Sequence, residues 1–485
     1  MKNRGLTRRE ALGAGAGLLL SACAPWKSNT RPEHFEKPPN VVVFLSDALR
    51  ADHLGCYGYP LRTSPHLDRF ANQSLLFERC YSAASWTKPA CASLFTSTLP
   101  PVHKMMLGEW CDTRRYTLHT GLDTLDMSFA TGGYDTAWFL SNPLSRRELG
   151  FGRGFAHYSF EAEMEPNAQV NAIVTWLKEQ AAEPFFLFIH MIDPHDPYVV
   201  DEAEYEAFAQ RPIKAALAEL PPDERDTFHD FHQLNWAQRL KTTGRLPLQK
   251  FSPAAIAYAS SLYDTEIRRV DKLFHRLCQT LREQQQFDDT LMVVTADHAH
   301  AFNEHGFCYH GNSVYNDELH IPFIMKLPGS EEGRRFPEPC SQCDIAPTLL
   351  ALAGQDPLPR AQGRPLVYAN GDSRARAPIP VFAYHSMCHR NRTYWEMAIF
   401  HGREKLVHMP DREQTALFDI FEDPREQHDL LSDPNHEGPA QDELVQMAQR
   451  LKGEHFSAAL DLGMPEWFTE VPDGHTEALQ ALGYL

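Results

Sequence analysis

Continuous apolar runs of strand length recur along the chain, and each stops at a polar residue. Asn40–Leu45 ends at Ser46-Asp47, Asp135–Leu140 at Ser141-Asn142, Phe185–Ile192 at Asp193-Pro194-His195, and Thr290–Ala296 at Asp297-His298. Unbroken runs of this kind, as opposed to alternating ones, belong to strands buried on both faces. Helical stretches separate them. The pattern therefore predicts an α/β fold, a mostly parallel central sheet with helices on both faces. In such a sheet ligands sit beyond the carboxyl ends of the strands. Here those ends deliver Asp, Asn, Asp/His and Asp/His to one edge, which defines a candidate site.

The remaining pattern fills in the architecture. Tyr263, Ile267, Val270, Leu273 and Leu277 recur at helical spacing within 254–285 and read as a core-facing stripe. Residues 200–250 are polar, with helical stretches at 202–208 and 235–240, and read either as an insertion over the sheet or as plain surface helices. The sheet resumes at Ile321–Lys326, and Asp344–Ala353 opens another helix. Beyond residue 370 the texture changes: 394–400, 405–409 and 416–421 read as antiparallel strands, with a helix over 438–452. The expected organisation is a main domain over 38–370 and a small antiparallel C-terminal subdomain over 371–485.

Composition narrows the function classes. The chain has 485 residues, 43% hydrophobic and 23% charged, with a formal net charge of −18. That excess of negative charge repels phosphate backbones, which argues against nucleic acid as a partner. An anionic substrate would need a local positive feature, and a metal ion is the natural candidate. Residues 1–22 combine Lys2, Arg4, Arg8 and Arg9 with an uncharged Ala/Gly/Leu run from Ala11 to Leu20. This is signal-peptide grammar, with a run too short to span a bilayer. Thr7-Arg8-Arg9-Glu10-Ala11-Leu12 resembles a twin-arginine signal, and Leu20-Ser21-Ala22-Cys23 resembles a lipobox. The expectation is an envelope protein held to a membrane by lipidated Cys23, with 23–37 as a polar, Pro-rich tether. Of 10 cysteines, nine follow Cys23, with no framework spacing, so no disulfide dependence is expected. Cys340 and Cys343 lack the second pair that a zinc site needs.

Asp47, Asp297 and His298 combine hard oxygen donors with one imidazole, a set suited to one divalent cation such as Mg²⁺, Mn²⁺ or Ca²⁺. Thr87 precedes Lys88-Pro89 and a run of small and apolar residues, so it stands at or near the start of a helix. Taken alone it is a capping residue. A helix start is also a place to hold an oxyanion.

The motifs then converge. V-V-V-F-L-S-D-A-L-R-A-D-H-L-G-C-Y-G-Y, the run P-A-C-A-S-L-F-T from Pro89 to Thr96, F-I-H-M-I-D-P-H-D-P-Y, T-A-D-H-A-H-A-F-N-E-H-G with H-G-N-S-V-Y, D-I-A-P-T-L-L and the terminal L-Q-A-L-G-Y occur in one order. Together they resemble the sulfatase family of the alkaline-phosphatase superfamily, over about residues 38 to 485. The resemblance implies that Asp47, Asp297 and His298 bind the metal and that Thr87 occupies the nucleophile position. It implies that His195 and His310 contact the ester oxygens or protonate the leaving group. Asn142 and Lys88 are the candidate substrate contacts. His53, His66, His190 and His305 are expected to be structural, and His300, two residues from His298, to point away from it.

The departures bear on the chemistry. Sulfatases carry Cys or Ser in C/S-x-P-x-R and oxidise it to formylglycine. Here the convertible residue is Thr87 and the arginine is Cys91, so no formylglycine is expected. Ala48 replaces a second Asp, and Ala299 replaces the usual Gly. A formylglycine hydrate releases sulfate by collapsing to the aldehyde. A threonine ester has no such exit, and a second nucleophile must attack the central atom, which metal-assisted attack at phosphorus accomplishes. Superfamily relatives with Thr here, nucleotide pyrophosphatases and phosphoglycerol transferases, act on phosphate esters. The favoured expectation is phosphodiesterase or phosphotransferase chemistry on an anionic ester. A sulfatase proper and a non-catalytic envelope binding protein stay open.

Overall fold

The computed structural model describes residues 34–106, 115–160, 166–222, 224–225, 251–306, 308–373, 381–389, 392–434, 436, 441–458, 460–463 and 466–468. The leader, Cys23, most of the tether and the 235–240 stretch lie outside the described residues.

The main sheet has nine strands. They are Asn40–Ser46 (β1), Leu75–Tyr81 (β2), Asp135–Leu140 (β3), His157–Phe160 (β4), Phe185–Met191 (β5), Thr290–Thr295 (β6), His320–Ile321 (β7), Phe323–Lys326 (β8) and Arg334–Ser341 (β9). Their order is β7-β2-β8-β6-β1-β5-β3-β4, with β9 also paired to β2. The run β6-β1-β5-β3-β4 is wholly parallel. β8 runs antiparallel to both β6 and β2. Pro322, which lacks an N–H, separates β7 from β8.

Every residue of β1, β5 and β6 is buried, because helices cover both faces. Phe44 meets Phe274 of the long helix Pro253–Glu283 edge-on at 5.3 Å. Phe188, in register with Val43 and so on the opposite face, packs on Phe95 of Thr87–Thr96 (α1) at 4.8 Å. The predicted stripe is core: Tyr263, Ile267, Val270, Leu273 and Leu277 are all buried.

Register is what builds the site. Ser46 pairs Met191, Leu45 pairs Thr295, and Leu140 pairs His190. The residues that follow, Asp47, Asp193–Asp196, Asp297-His298 and Asn142, therefore emerge at one level of one edge.

The C-terminal sheet is antiparallel throughout, in the order Val381–His389, Arg392–His401, Glu404–Met409 and Gln414–Asp419. Gly402, at φ +61°, turns the middle hairpin. Met397, Leu406 and Leu417 face a cluster with Leu444, Ala448 and Leu451 of the helix Gln441–Ser457. Ala398, Phe400, Val407 and Phe418, on the other face, cluster with Tyr81, Val314 and Leu319 of the main domain. Alternation thus glues the subdomain on both sides.

Candidate active site

Asp47 leaves β1 and the chain turns at once: Ala48 takes φ 58°, an unusual conformation for a residue with a Cβ. The turn aims the Ala48 N–H at Asp297 Oδ1 (3.1 Å), which also accepts the His298 N–H (2.9 Å). Asp297 Oδ1 is thereby occupied by backbone, and Oδ2 is left facing the pocket. Asp47 is tied down in a mirrored way. Its Oδ2 accepts from Asn142 Nδ2 and from His190 Nε2 (3.2 Å). The His298 Nδ1–H donates to the Ala299 carbonyl at 2.9 Å, which turns Nε2 inward.

Three inward atoms converge. His298 Nε2 lies 3.4 Å from Asp47 Oδ1 and 3.5 Å from Asp297 Oδ2. All three residues are fully buried, and those two carboxylate oxygens have no hydrogen-bond partner. Two buried, unpartnered carboxylate oxygens beside an imidazole lone pair carry a large penalty unless a cation joins them. The donors present fit one divalent ion. Without it the carboxyls diverge. Burial alone would raise Asp47, but the charge of His195, the His190 hydrogen bond and His298 pull it down to about 2. Burial, then the charge of Asp47, raises Asp297.

Thr87 is the first residue of α1, and the preceding Trp86 makes no side-chain cap. The Thr87 hydroxyl meets side chains of the pocket. It stands 3.3 Å from His298 Nε2 and 3.4 Å from Asn142 Nδ2, fully buried. Asn142 Oδ1 accepts from the Leu144 N–H at 2.7 Å, and that bond fixes which end of its amide faces Asp47 and Thr87. Asn142, expected from the sequence as a substrate contact, thus holds a metal-ligand candidate. Lys88 is fully buried in the same helical turn.

His195 and His310 face each other, Nε2 to Nε2, at 3.2 Å, both buried. The His310 ring stacks on His298 with centroids 4.4 Å apart. Burial opposes charge on His195, but Asp196 and Asp47 outweigh it and raise its proton affinity. Burial, followed by His298, His195 and His300, holds His310 well below the ordinary imidazole value. His300 points away from the pocket towards the Tyr198 hydroxyl at 2.7 Å.

His190, read from the sequence as structural, lies against Asp47 and braces it, with Ser145 Oγ donating to its Nδ1 at 3.1 Å. The signal was there: a lone polar ring in the otherwise apolar strand Phe185–Met191 must find a polar partner. Asp196 was also missed. His53 (2.7 Å from Asp264) and His305 (3.0 Å from Asp317) lie against other carboxylates. Cys91, one helical turn after Thr87, has donor distance below 4.8 Å to His190 and Asp297. Burial, and then Asp297 and Asp47, keep its thiol neutral.

A family model for the sulfatases matches residues 39–355, and one for the C-terminal part of N-sulphoglucosamine sulphohydrolase matches 303–454. The chain belongs to the sulfatase family. It is an ester hydrolase with a metal-dependent family behind it. A Δ4,5-hexuronate-2-O-sulfatase of Bacteroides thetaiotaomicron is 22% identical, covering 83% of this chain and 86% of that protein. The uncharacterised sulfatase YidJ of Escherichia coli K12 is 24% identical, covering 65% and 68%. Among solved structures, a phosphonate monoester hydrolase of Agrobacterium radiobacter superposes with a TM-score of 0.64 at 19% identity, covering 87% of this chain and 95% of that one.

Proposed function

We propose that this chain cleaves or transfers a phosphate ester, a phosphodiester in preference, through a covalent intermediate on Thr87. The observation that carries the reading is a buried Thr87 hydroxyl at the start of α1, 3.3 Å from His298 Nε2, at the position where sulfatases hold formylglycine. The phosphonate monoester hydrolase fold neighbours are in keeping with attack at phosphorus. A divalent cation held by Asp47, Asp297 and His298 would neutralise the ester and favour the alkoxide. Asn142 orients the Thr87 oxygen. Thr87 gives up its hydroxyl proton to solvent, its oxygen attacks phosphorus as the bond to the leaving oxygen breaks, and a second proton, from the His195–His310 pair, goes to the leaving oxygen. His195 is the better donor because its carboxylate neighbours favour its charged form. Lys88, buried in the first turn of the same helix, is the candidate contact for the anionic ester. Water or an acceptor hydroxyl then attacks phosphorus and frees Thr87.

The curated relatives are named as sulfatases, so sulfate-ester hydrolysis is the second reading. One experiment separates the two: an aryl sulfate, a phosphate monoester and a phosphodiester turned over side by side with added divalent metals. Diester turnover should dominate, fall by several orders of magnitude in Thr87→Ala and survive in Thr87→Ser. Normal turnover by Thr87→Ala overturns the proposal.

A further inference from the structure

We propose that Cys80 and Cys340 are a site of oxidative modification, closing to a reversible disulfide that locks the margin strand β9 onto β2. The two residues stand directly opposite each other in the parallel β2–β9 pair. Residues in register on such a pair project from the same face of the sheet, and neighbouring strands lie about 4.7–4.9 Å apart. That spacing falls within the Cα separation of about 4.4–6.8 Å that a disulfide requires. Both side chains are fully buried, and both thiols are unlinked in this structure. By sequence the nearer partner of Cys340 is Cys343, but its Sγ faces the Thr98 carbonyl at 3.7 Å. Strand register sets the pairing with Cys80, and the spacing of Cys340 and Cys343 does not reveal it.

The lock acts where the sheet is weakest. β9 pairs with β2 alone, is half exposed, contains Pro337 and Pro339, and shifts register between Phe336 and Pro339. A strand held by so few contacts opens locally without global unfolding. Yet the residues directly after it support the candidate active site. Gln342 Nε2 donates to the Asp297 carbonyl at 2.8 Å and to the Ala296 carbonyl at 3.1 Å, and its Oε1 accepts from Ser82 Oγ at 3.3 Å. Ser97 Oγ donates to the Cys343 carbonyl at 2.7 Å. A bond from Cys340 to Cys80 would fix the chain two residues before Gln342 and steady the backbone behind Asp297.

The oxidant is a disulfide, either a small molecule such as oxidised glutathione or a disulfide-bearing oxidoreductase. When β9 opens, one protein thiolate attacks a sulfur of the oxidant and releases its first thiolate. The second protein thiolate attacks the protein sulfur of the mixed disulfide and releases the other. The two protons given up by the cysteines are taken by the two released thiolates, and the oxidant gains both electrons. In the closed strand the pair is inert, because burial, followed by the neighbouring Cys340, keeps the Cys80 thiol neutral.

The test reads thiols and stability, not activity. The metal-free full-length protein is equilibrated with oxidised glutathione or with dithiothreitol, denatured, alkylated and digested for mass spectrometry. The oxidised wild type should yield peptides joined through Cys80 and Cys340, and dithiothreitol should separate them. Cys343→Ser should keep the link, while Cys80→Ser and Cys340→Ser should lose it. The bond closes a long chain loop, so the oxidised wild type should melt several degrees above the reduced protein, with no such difference in Cys340→Ser. Alkylation of both Cys80 and Cys340 after oxidation, or a link from Cys340 to Cys343, overturns the proposal. So does a linked wild type whose melting temperature oxidation leaves unmoved. None of these outcomes touches Thr87, so the proposed function stands or falls separately.

Discussion

Replacing His190 with leucine removes a donor from Asp47 without touching any atom that faces the metal pocket. His190 Nε2 donates to Asp47 Oδ2 at 3.2 Å, with both side chains essentially unexposed. A hydrogen bond to a charged group contributes about 1.5–3 kcal/mol. Loss of such a supporting partner typically costs about 10–100-fold in metal affinity. Asn142 continues to hold the same oxygen, so the low end applies, about tenfold or ~1.4 kcal/mol. His190→Gln, which keeps a donor, should recover part of it. Removing both donors leaves a buried carboxylate oxygen unpaired, so His190→Leu with Asn142→Ala should lose more than the two single losses combined. Competition of the metal-free protein against a chelator gives the affinities, and melting curves without metal confirm the fold. A His190→Leu protein that is folded and binds metal within twofold of wild type refutes the reasoning.

Lys405 and Glu426 form an unexposed ion pair at 2.6 Å that also engages Asn316, pinning the C-terminal sheet to the main domain. Lys405→Met should cost about 3–5 kcal/mol in denaturant unfolding, and Lys405→Met with Glu426→Leu should recover most of it; equal losses would discount the pair. His103 accepts the Met105 N–H on Nδ1 at 3.1 Å, and burial pushes its pKa down from 6.5 to about 3. For a base depressed by folding, the contribution is complete above the unfolded value and is lost as pH falls from 6.5 towards 3, at about 1.4 kcal/mol per pH unit; His103→Gln should flatten that acid limb in melts at stepped pH. The lipid anchor is proposed from Leu20-Ser21-Ala22-Cys23, and Cys23→Ser should move the protein from the membrane to the soluble envelope fraction.

The parallel half of the sheet and the polar residues at its edge were legible because β1, β3, β5 and β6 are unbroken apolar runs. β2 and β9 were not. β2 carries Glu78 and Arg79 in its middle, half-buried because Arg335 of β9 pairs with Glu78 across the strands. β9 contains two prolines and is half exposed, tolerated because it pairs with β2 alone at the margin of the sheet. The same limit applies at the site. Asp47, Asp297 and His298 stand out as strand-end residues. The partners that aim them, His190, Ser145 and the turned Ala48 backbone, depend on register between strands more than a hundred residues apart.

Charge explains why Thr87 and Cys91 belong together. Asp47 and Asp297 give the pocket two negative charges in a place without solvent, and an anionic ester would add another. The arginine of the sulfatase pattern would offset one of these, but Cys91 is a neutral thiol. Burial makes that deficit costly, since unlike charges attract and like charges repel far more strongly there than in water. On the proposed reading the compensation would come from a bound cation together with His195, whose carboxylate neighbours favour its charged form. A divalent cation held by Asp47, Asp297 and His298 would bring the two carboxylates to neutrality. On the proposed phosphate-ester reading, attack first by Thr87 and then by water or an acceptor would draw on that charge in both steps. On that reading the neutral Cys91, the plain hydroxyl of Thr87 and the charged form of His195 bear on one requirement, holding an anionic ester where burial strengthens every charge.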